Sequence, residues 1–135
     1  MTTRFESEIP ILPRDIDINA HVHHSAYLDY FLAARFDQME RCYKMPMDEF
    51  LKMGYTWFAR RYEIEFRSPL AFGDKALVRT WVEDAARMSV RVQFEIESKN
   101  TGRLAARGSA VFVLVDVKNN KPARLPEDVI RRYSI

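Results

Sequence analysis

The chain has 135 residues, of which 47% are hydrophobic, and it carries a formal net charge of +2 at pH 7. That length and apolar content predict one folded domain, residues 1–135, and exclude a disordered chain, while mixed charges without a basic block argue against a nucleic-acid partner. Cys42 is the only cysteine, MTTRFESEIP lacks a signal-peptide core, and the longest clean apolar run spans residues 110–115, so we expect a cytoplasmic protein with no membrane partner.

The first third of the chain predicts a strand followed by one long helix. Alternating side chains at residues 5–11 predict the strand. The helix is predicted to begin at Ala26, with the Ser25 hydroxyl capping its free backbone N–H groups. Its predicted apolar face covers roughly four to five turns and consists of Leu28, Phe31, Leu32, Phe36, Met39 and Tyr43. A short second helix is predicted at residues 47–52.

After Gly54 the apolar side chains alternate with a period of two, which is typical of strands. Four strands are predicted around residues 61–67, 76–82, 88–97 and 104–117. Because one helix cannot cover both faces of five strands, we predict an α+β fold in which a five-stranded antiparallel sheet wraps round one long central helix. The helix would approach the last strand at its small residues, Ala105, Ala106, Gly108 and Ala110. The uncovered sheet face and edge strands favour a homo-oligomer.

The segment RDIDINAHVHHSAYLDYF, residues 14–31, contains all three histidines of the chain. It joins the first strand to the N-terminus of the long helix, where unpaired backbone N–H groups near His24 can stabilise a developing oxyanion. A carboxylate beside such donors, here Asp17, can act as a base or a nucleophile, and either a close second carboxylate, Asp15, or a buried site would raise its pKa. These residues are ingredients for acyl transfer or hydrolysis.

The same segment, followed by AAR, resembles the signature of hotdog-fold thioesterases, the 4-hydroxybenzoyl-CoA and acyl-CoA (or acyl-ACP) thioesterase family. That signature reads roughly D-x-D-x-x-x-H-V-N-N-x-x-Y, and FRSPLAFGD, residues 66–74, is similar to a turn of the family. The resemblance implies a hotdog fold, with Asp17 as the catalytic aspartate and the backbone N–H near His24 as donor to the thioester carbonyl. It also implies a homodimer or homotetramer with the site between two subunits.

Five further residues of the motif are candidates for the site. Asn19 and His21 match the pattern of plant-type acyl-ACP thioesterases, while His24 matches a histidine of one bacterial branch. The general acid or base is left open among Asp17, His21 and His24, and Asn19 would help to position water. Ser25 and Tyr27 are the predicted substrate contacts. The chain departs from the family pattern where two histidines replace two asparagines, and near Pro69, where the plant-type catalytic glutamate is missing.

The sequence thus predicts a thioesterase that hydrolyses a fatty or aromatic acyl-CoA (or acyl-ACP) to free acid and thiol, with a role in fatty acid metabolism. We expect no cofactor, because the thiol is a good leaving group and no redox step occurs. No metal is expected, since the histidine spacing is not a recurrent zinc spacing. Two alternatives stay open: a hotdog enoyl-CoA hydratase or dehydratase, and a non-catalytic acyl-CoA binding module. At the level of single residues, Asp17 could simply cap a turn and His21 could be structural.

Overall fold

A computed structural model describes residues 3–135. Its strands pair into one antiparallel sheet in the order β1-β3-β4-β5-β2, with a short β6 beside β5. The elements are β1 (Phe5–Pro10), a 3-10 turn (Pro13–Asp15), α1 (Ala26–Arg41), α2 (Met47–Lys52), β2 (Tyr55–Phe66), β3 (Lys75–Ala85), β4 (Ser89–Ser98), β5 (Leu104–Asp116), β6 (Lys121–Pro122) and α3 (Glu127–Tyr133). The predicted five strands and central helix are confirmed, and β6 and α3 are additional.

The long helix α1 lies across the inner face of the sheet. Its central anchor is Phe31, whose ring centroid lies 4.5 Å from that of Phe94 on β4 and 6.2 Å from those of Tyr62 on β2 and Phe112 on β5. One buried aromatic side chain therefore contacts three strands at once. Packing of this kind holds the helix N-terminus at a fixed place relative to the sheet.

The face that α1 buries differs from the predicted apolar face. Phe36 is 51% exposed, and Leu28 and Leu32 are only partly buried, whereas Arg35 and Gln38 are buried. Hydrophobicity alone could not predict this rotation, because two polar residues turn inward and an apolar stripe stays outside. That stripe, formed by Leu28, Leu32 and Phe36, runs along the side of α1.

A polar cluster explains why Gln38 is buried. Its Nε2 donates to Ser7 Oγ at 3.0 Å and to the Phe5 carbonyl at 3.3 Å, and its Oε1 accepts a hydrogen bond from the Thr80 hydroxyl. A buried amide is stable only when its donors and acceptors are paired. The cluster therefore attaches the C-terminal half of α1 to β1 and β3.

Gly108 lies at the middle of β5, between Phe94 of β4 and Ile64 of β2. A Cβ atom at this position would overlap the Glu63 carbonyl oxygen of β2 and press against the Phe94 ring. The sequence predicted that small residues here let α1 approach the strand. In the structure the space is filled by Phe94, and α1 contacts β5 at this point through that ring.

Candidate active site

Asp17 begins a tight turn at the end of the connection from β1. Its backbone N–H donates to the His21 carbonyl at 2.8 Å, and its Oδ1 accepts from the N–H groups of Asn19 at 2.9 Å and His21 at 3.3 Å. The turn requires a left-handed conformation at Ala20, with φ of +63°. Aspartate favours such turns because its carboxylate pairs with the backbone two residues on. Asp17 therefore caps a turn, and its Oδ2 has no partner among residues 3–135.

The Asp17 turn is attached to the body of the protein on both sides. Val22 is buried, and its N–H donates to the Leu70 carbonyl at 2.8 Å, while His21 forms an isolated β-bridge with Ala71. The His23 N–H donates to the Asp15 carbonyl at 2.8 Å. The carboxylate of Asp17 is thus held in one orientation by backbone that is itself fixed.

Asp15 has a structural role. Its buried carboxylate accepts hydrogen bonds from the Tyr30 hydroxyl at 2.8 Å and from the Leu12 N–H at 3.0 Å. Burial raises the pKa of Tyr30, and the hydrogen bond to Asp15 and its negative charge raise it further, so Tyr30 stays a donor. The Asp15 carboxylate is thus paired with two groups of the interior, and its predicted influence on Asp17 stays a prediction.

Ser25 precedes α1 but does not cap it as predicted. Its backbone is helical, with φ of −73°, and its hydroxyl lies 2.8 Å from His23 Nδ1 instead of bonding to the helix. Within the described residues, no acceptor pairs with the backbone N–H groups of His24 and Ser25. The N-terminus of α1 therefore presents free donors beside partial positive charge, which suits a developing oxyanion.

The remaining predicted residues divide between the surface and the wall of the site. Asn19, His21 and His24 are exposed, and the His24 ring lies edge-on to Phe66 at 6.5 Å. Tyr27 is only 3% exposed, and its hydroxyl accepts a hydrogen bond from the Leu70 N–H at 3.3 Å.

Burial raises the pKa of Tyr27, the Leu70 hydrogen bond opposes that shift, and the negative charge of Asp17 adds to it. Asp17, Asn19 and His21 share one turn, while His23, His24 and Ser25 surround the helix tip. Tyr27 forms a buried wall at this end of α1.

An apolar cavity of about 220 Å³ lies between α1 and the sheet, further along the helix. Leu32, Phe36 and Met39 of α1 line one side, and Val92 and Phe112 line the other. These helix residues were predicted to belong to the core, and only the exposure of Leu32 and Phe36 in the folded chain reveals the opening. Among residues 3–135 no three metal-ligand side chains converge, and no helix is long and apolar enough to cross a membrane.

Comparison with known proteins places these features in a family. A model of the thioesterase-like superfamily matches residues 11–133. The chloroplastic acyl-acyl carrier protein hydrolase FATB2 of Cuphea viscosissima is 28% identical over 83 residues, which are 62% of this chain and 20% of the plant protein. The chain thus spans about a fifth of the length of the curated relatives it matches.

Two solved structures have the same fold. The DHNA-CoA thioesterase of Staphylococcus aureus has a TM-score of 0.89 at 24% identity, covering 97% of this chain and 89% of the other. A hypothetical protein of Thermus thermophilus, TT1821, has a TM-score of 0.87 at 28% identity, covering 96% of each chain. The predicted hotdog fold is confirmed by these likenesses.

Proposed function

The chain belongs to the thioesterase-like superfamily, and from that premise we propose that it hydrolyses an acyl-CoA thioester to free acid and thiol. The proposal rests on the arrangement at the N-terminus of α1. There the oriented carboxylate of Asp17 accompanies the free N–H groups of His24 and Ser25. An ester hydrolase needs a base and an oxyanion donor, and these groups supply both.

In the proposed mechanism the thioester carbonyl accepts hydrogen bonds from the N–H groups of His24 and Ser25. The free Oδ2 of Asp17 takes a proton from a water molecule, whose oxygen attacks the carbonyl carbon. The oxyanion that forms is stabilised by the helix N-terminus. Collapse of the intermediate breaks the C–S bond, and the thiolate takes the proton back from Asp17, with the exposed Asn19, His21 and His24 available to position water or relay the proton.

The acyl group is proposed to follow the apolar stripe of α1 from the helix tip into the cavity. Leu28, Leu32 and Phe36 lie at successive turns, and the last two line the cavity. Coenzyme A is the proposed carrier, since the S. aureus structural neighbour is named a CoA thioesterase. The plant relatives are named for acyl carrier protein, so that carrier is the alternative. A place in fatty acid metabolism and a cytoplasmic location stay predictions.

A homodimer through the edge of β2 is also proposed. β2 lies at one end of the sheet, and Phe58 and Phe66 on this strand are exposed. At the other end of the sheet, by contrast, Arg79 of β3 already pairs with Glu6 of the edge strand β1 and with Glu97 of β4. An unpaired edge with apolar side chains favours self-association. Sedimentation equilibrium should then give about twice the 15.9 kDa mass of one chain, and a strictly monomeric species would exclude the dimer.

The direct test of the activity is thiol release from a panel of short, long and aromatic acyl-CoA substrates. We expect release from at least one class, detected with a thiol-reactive dye and confirmed by chromatography of the free acid. Ligand binding without turnover would instead identify a binding module. Hydration of an enoyl-CoA without thiol release would identify a hydratase.

A further inference from the structure

The inner wall of the cavity carries a buried cation without a counter-ion. Arg35 lines the cavity and is 6% exposed. Its Nη1 donates to the Thr80 hydroxyl at 3.3 Å, and its guanidinium carbon lies 5.2 Å and 5.9 Å from the ring centres of Tyr43 and Tyr133. Within residues 3–135 it forms no ion pair with a carboxylate. A guanidinium has five N–H donors, and only neutral groups of the described chain, the Thr80 hydroxyl and the Tyr43 side chain, lie beside that of Arg35, so donors remain for an anionic ligand.

Two more residues that line the same cavity each carry a buried polar atom without a partner among residues 3–135. Trp57 Nε1 and the Tyr133 hydroxyl are buried and make no hydrogen bond within the described chain. Their rings stack with centroids 6.1 Å apart. Burial raises the pKa of Tyr133, so its hydroxyl keeps its proton at neutral pH. An indole N–H can only donate, and buried donors are normally paired. An acceptor-rich anion is the kind of ligand that such donors lack.

The position of this donor cluster, Arg35, Trp57 and Tyr133, sets the length of a fitting acyl group. Arg35 lies eleven residues beyond His24, which corresponds to about 16 Å along a helix that rises 1.5 Å per residue. Extended chains cover about 1.2 Å per bond, and helix side chains lean towards the N-terminus. A thioester bound at the helix tip therefore reaches the cluster with an acyl chain of about ten to twelve carbons.

We propose that the cavity selects a medium-chain acyl group that ends in a carboxylate, and that the donor cluster binds this carboxylate. The inference rests on the proposed thioesterase function, because it places the thioester at the helix tip. A carboxylate gives Arg35 its counter-ion and accepts from Trp57 and Tyr133. A chain ending in a methyl group leaves all three donors unpaired, and sites built around such donors discriminate strongly against ligands that lack the acceptor.

The test compares two CoA thioesters of equal length, that of dodecanoic acid and the monothioester of dodecanedioic acid. We expect the wild type to favour the carboxylate-ended substrate about 100-fold in kcat/KM. Arg35→Met should remove most of that preference. Tyr133→Phe, which deletes only a hydroxyl, should reduce it several-fold and covers the case in which Arg35→Met fails to fold. Arg41→Met removes an equal charge from an exposed position on α1 and should leave the preference unchanged.

Equal rates for both substrates, or a preference for the dodecanoyl chain, would overturn the proposal and leave water as the partner of the donors. A preference that survives both Arg35→Met and Tyr133→Phe would also overturn it. Calorimetric binding of the same two thioesters separates this inference from the proposed activity. Selective binding of the carboxylate-ended thioester without hydrolysis would refute the thioesterase and retain the carboxylate site.

Discussion

Asp17→Asn is expected to lower kcat for thioester hydrolysis about 1000-fold without lowering the melting temperature by more than a degree or two. Asparagine keeps the Oδ1 atom that accepts from the N–H groups of Asn19 and His21, so the turn should persist. The amide cannot take a proton from water, and loss of a positioned base costs roughly 10² to 10⁴ in rate. Steady-state thiol release with thermal unfolding of the same preparations measures both quantities.

A matched control for this variant is Asp29→Asn. Asp29 is exposed in the first turn of α1, so the substitution removes the same charge near the same helix end without touching the Asp17 turn. We expect its kcat to stay within about fivefold of the wild type, since a surface charge near a helix terminus contributes only about 0.3–1 kcal/mol. If Asp17→Asn retained wild-type turnover, the base would have to be His21 or His24.

The sequence predicted structure best where a local pattern of residues was sufficient to determine it. The alternation of β4 predicted a strand with one buried face, because its apolar side chains at every second position point into the core. The histidine-rich motif predicted the position of Asp17 before α1, and the turn of the structure explains the spacing, since Asp17 Oδ1 binds the N–H groups of residues two and four positions later. Local chain geometry was sufficient for both predictions.

Other features depend on contacts that are distant in the chain. Arg35 and Gln38 face inward because they contact partners on β1 and β3, and Arg35 also lies over the aromatic ring of Tyr133. The local sequence pattern contains no information about these partners. The β-bulge between Ala59 and Arg61 breaks the alternation that would have extended β2 back to Tyr55. Serine is a residue type that commonly caps helices, yet the Ser25 hydroxyl hydrogen-bonds to His23 instead.

The C-terminal helix α3 was missed for a related reason. It has only seven residues, and its two buried side chains, Val129 and Tyr133, give too short a repeat to indicate a helix. Tyr133 nevertheless lines the cavity and stacks on Trp57. The part of the cavity with the donor cluster therefore depends on an element that only tertiary packing stabilises.

Gly108→Ala is expected to destabilise the fold by about 3 kcal/mol, at the upper end of the range for overpacked cores. The added methyl group would overlap the Glu63 carbonyl oxygen, which is backbone and cannot rotate away, and would press on the Phe94 ring. Relief requires β2 to separate from β5 or Phe94 to move against Phe31 of α1. Urea unfolding, followed by tryptophan fluorescence, measures the change in free energy of unfolding.

The neighbouring position supplies the control for this last variant. Arg107 is exposed and holds only a long ion pair of 3.4 Å to Glu65, so Arg107→Ala should change stability by less than about 0.5 kcal/mol. A loss confined to Gly108→Ala then identifies close strand packing as the cause. Because β2 also carries Phe66, which contacts His24, loosening of β2 should lower activity in proportion. Equal stability of the two variants would mean that β2 can shift relative to β5 with little loss of free energy of unfolding.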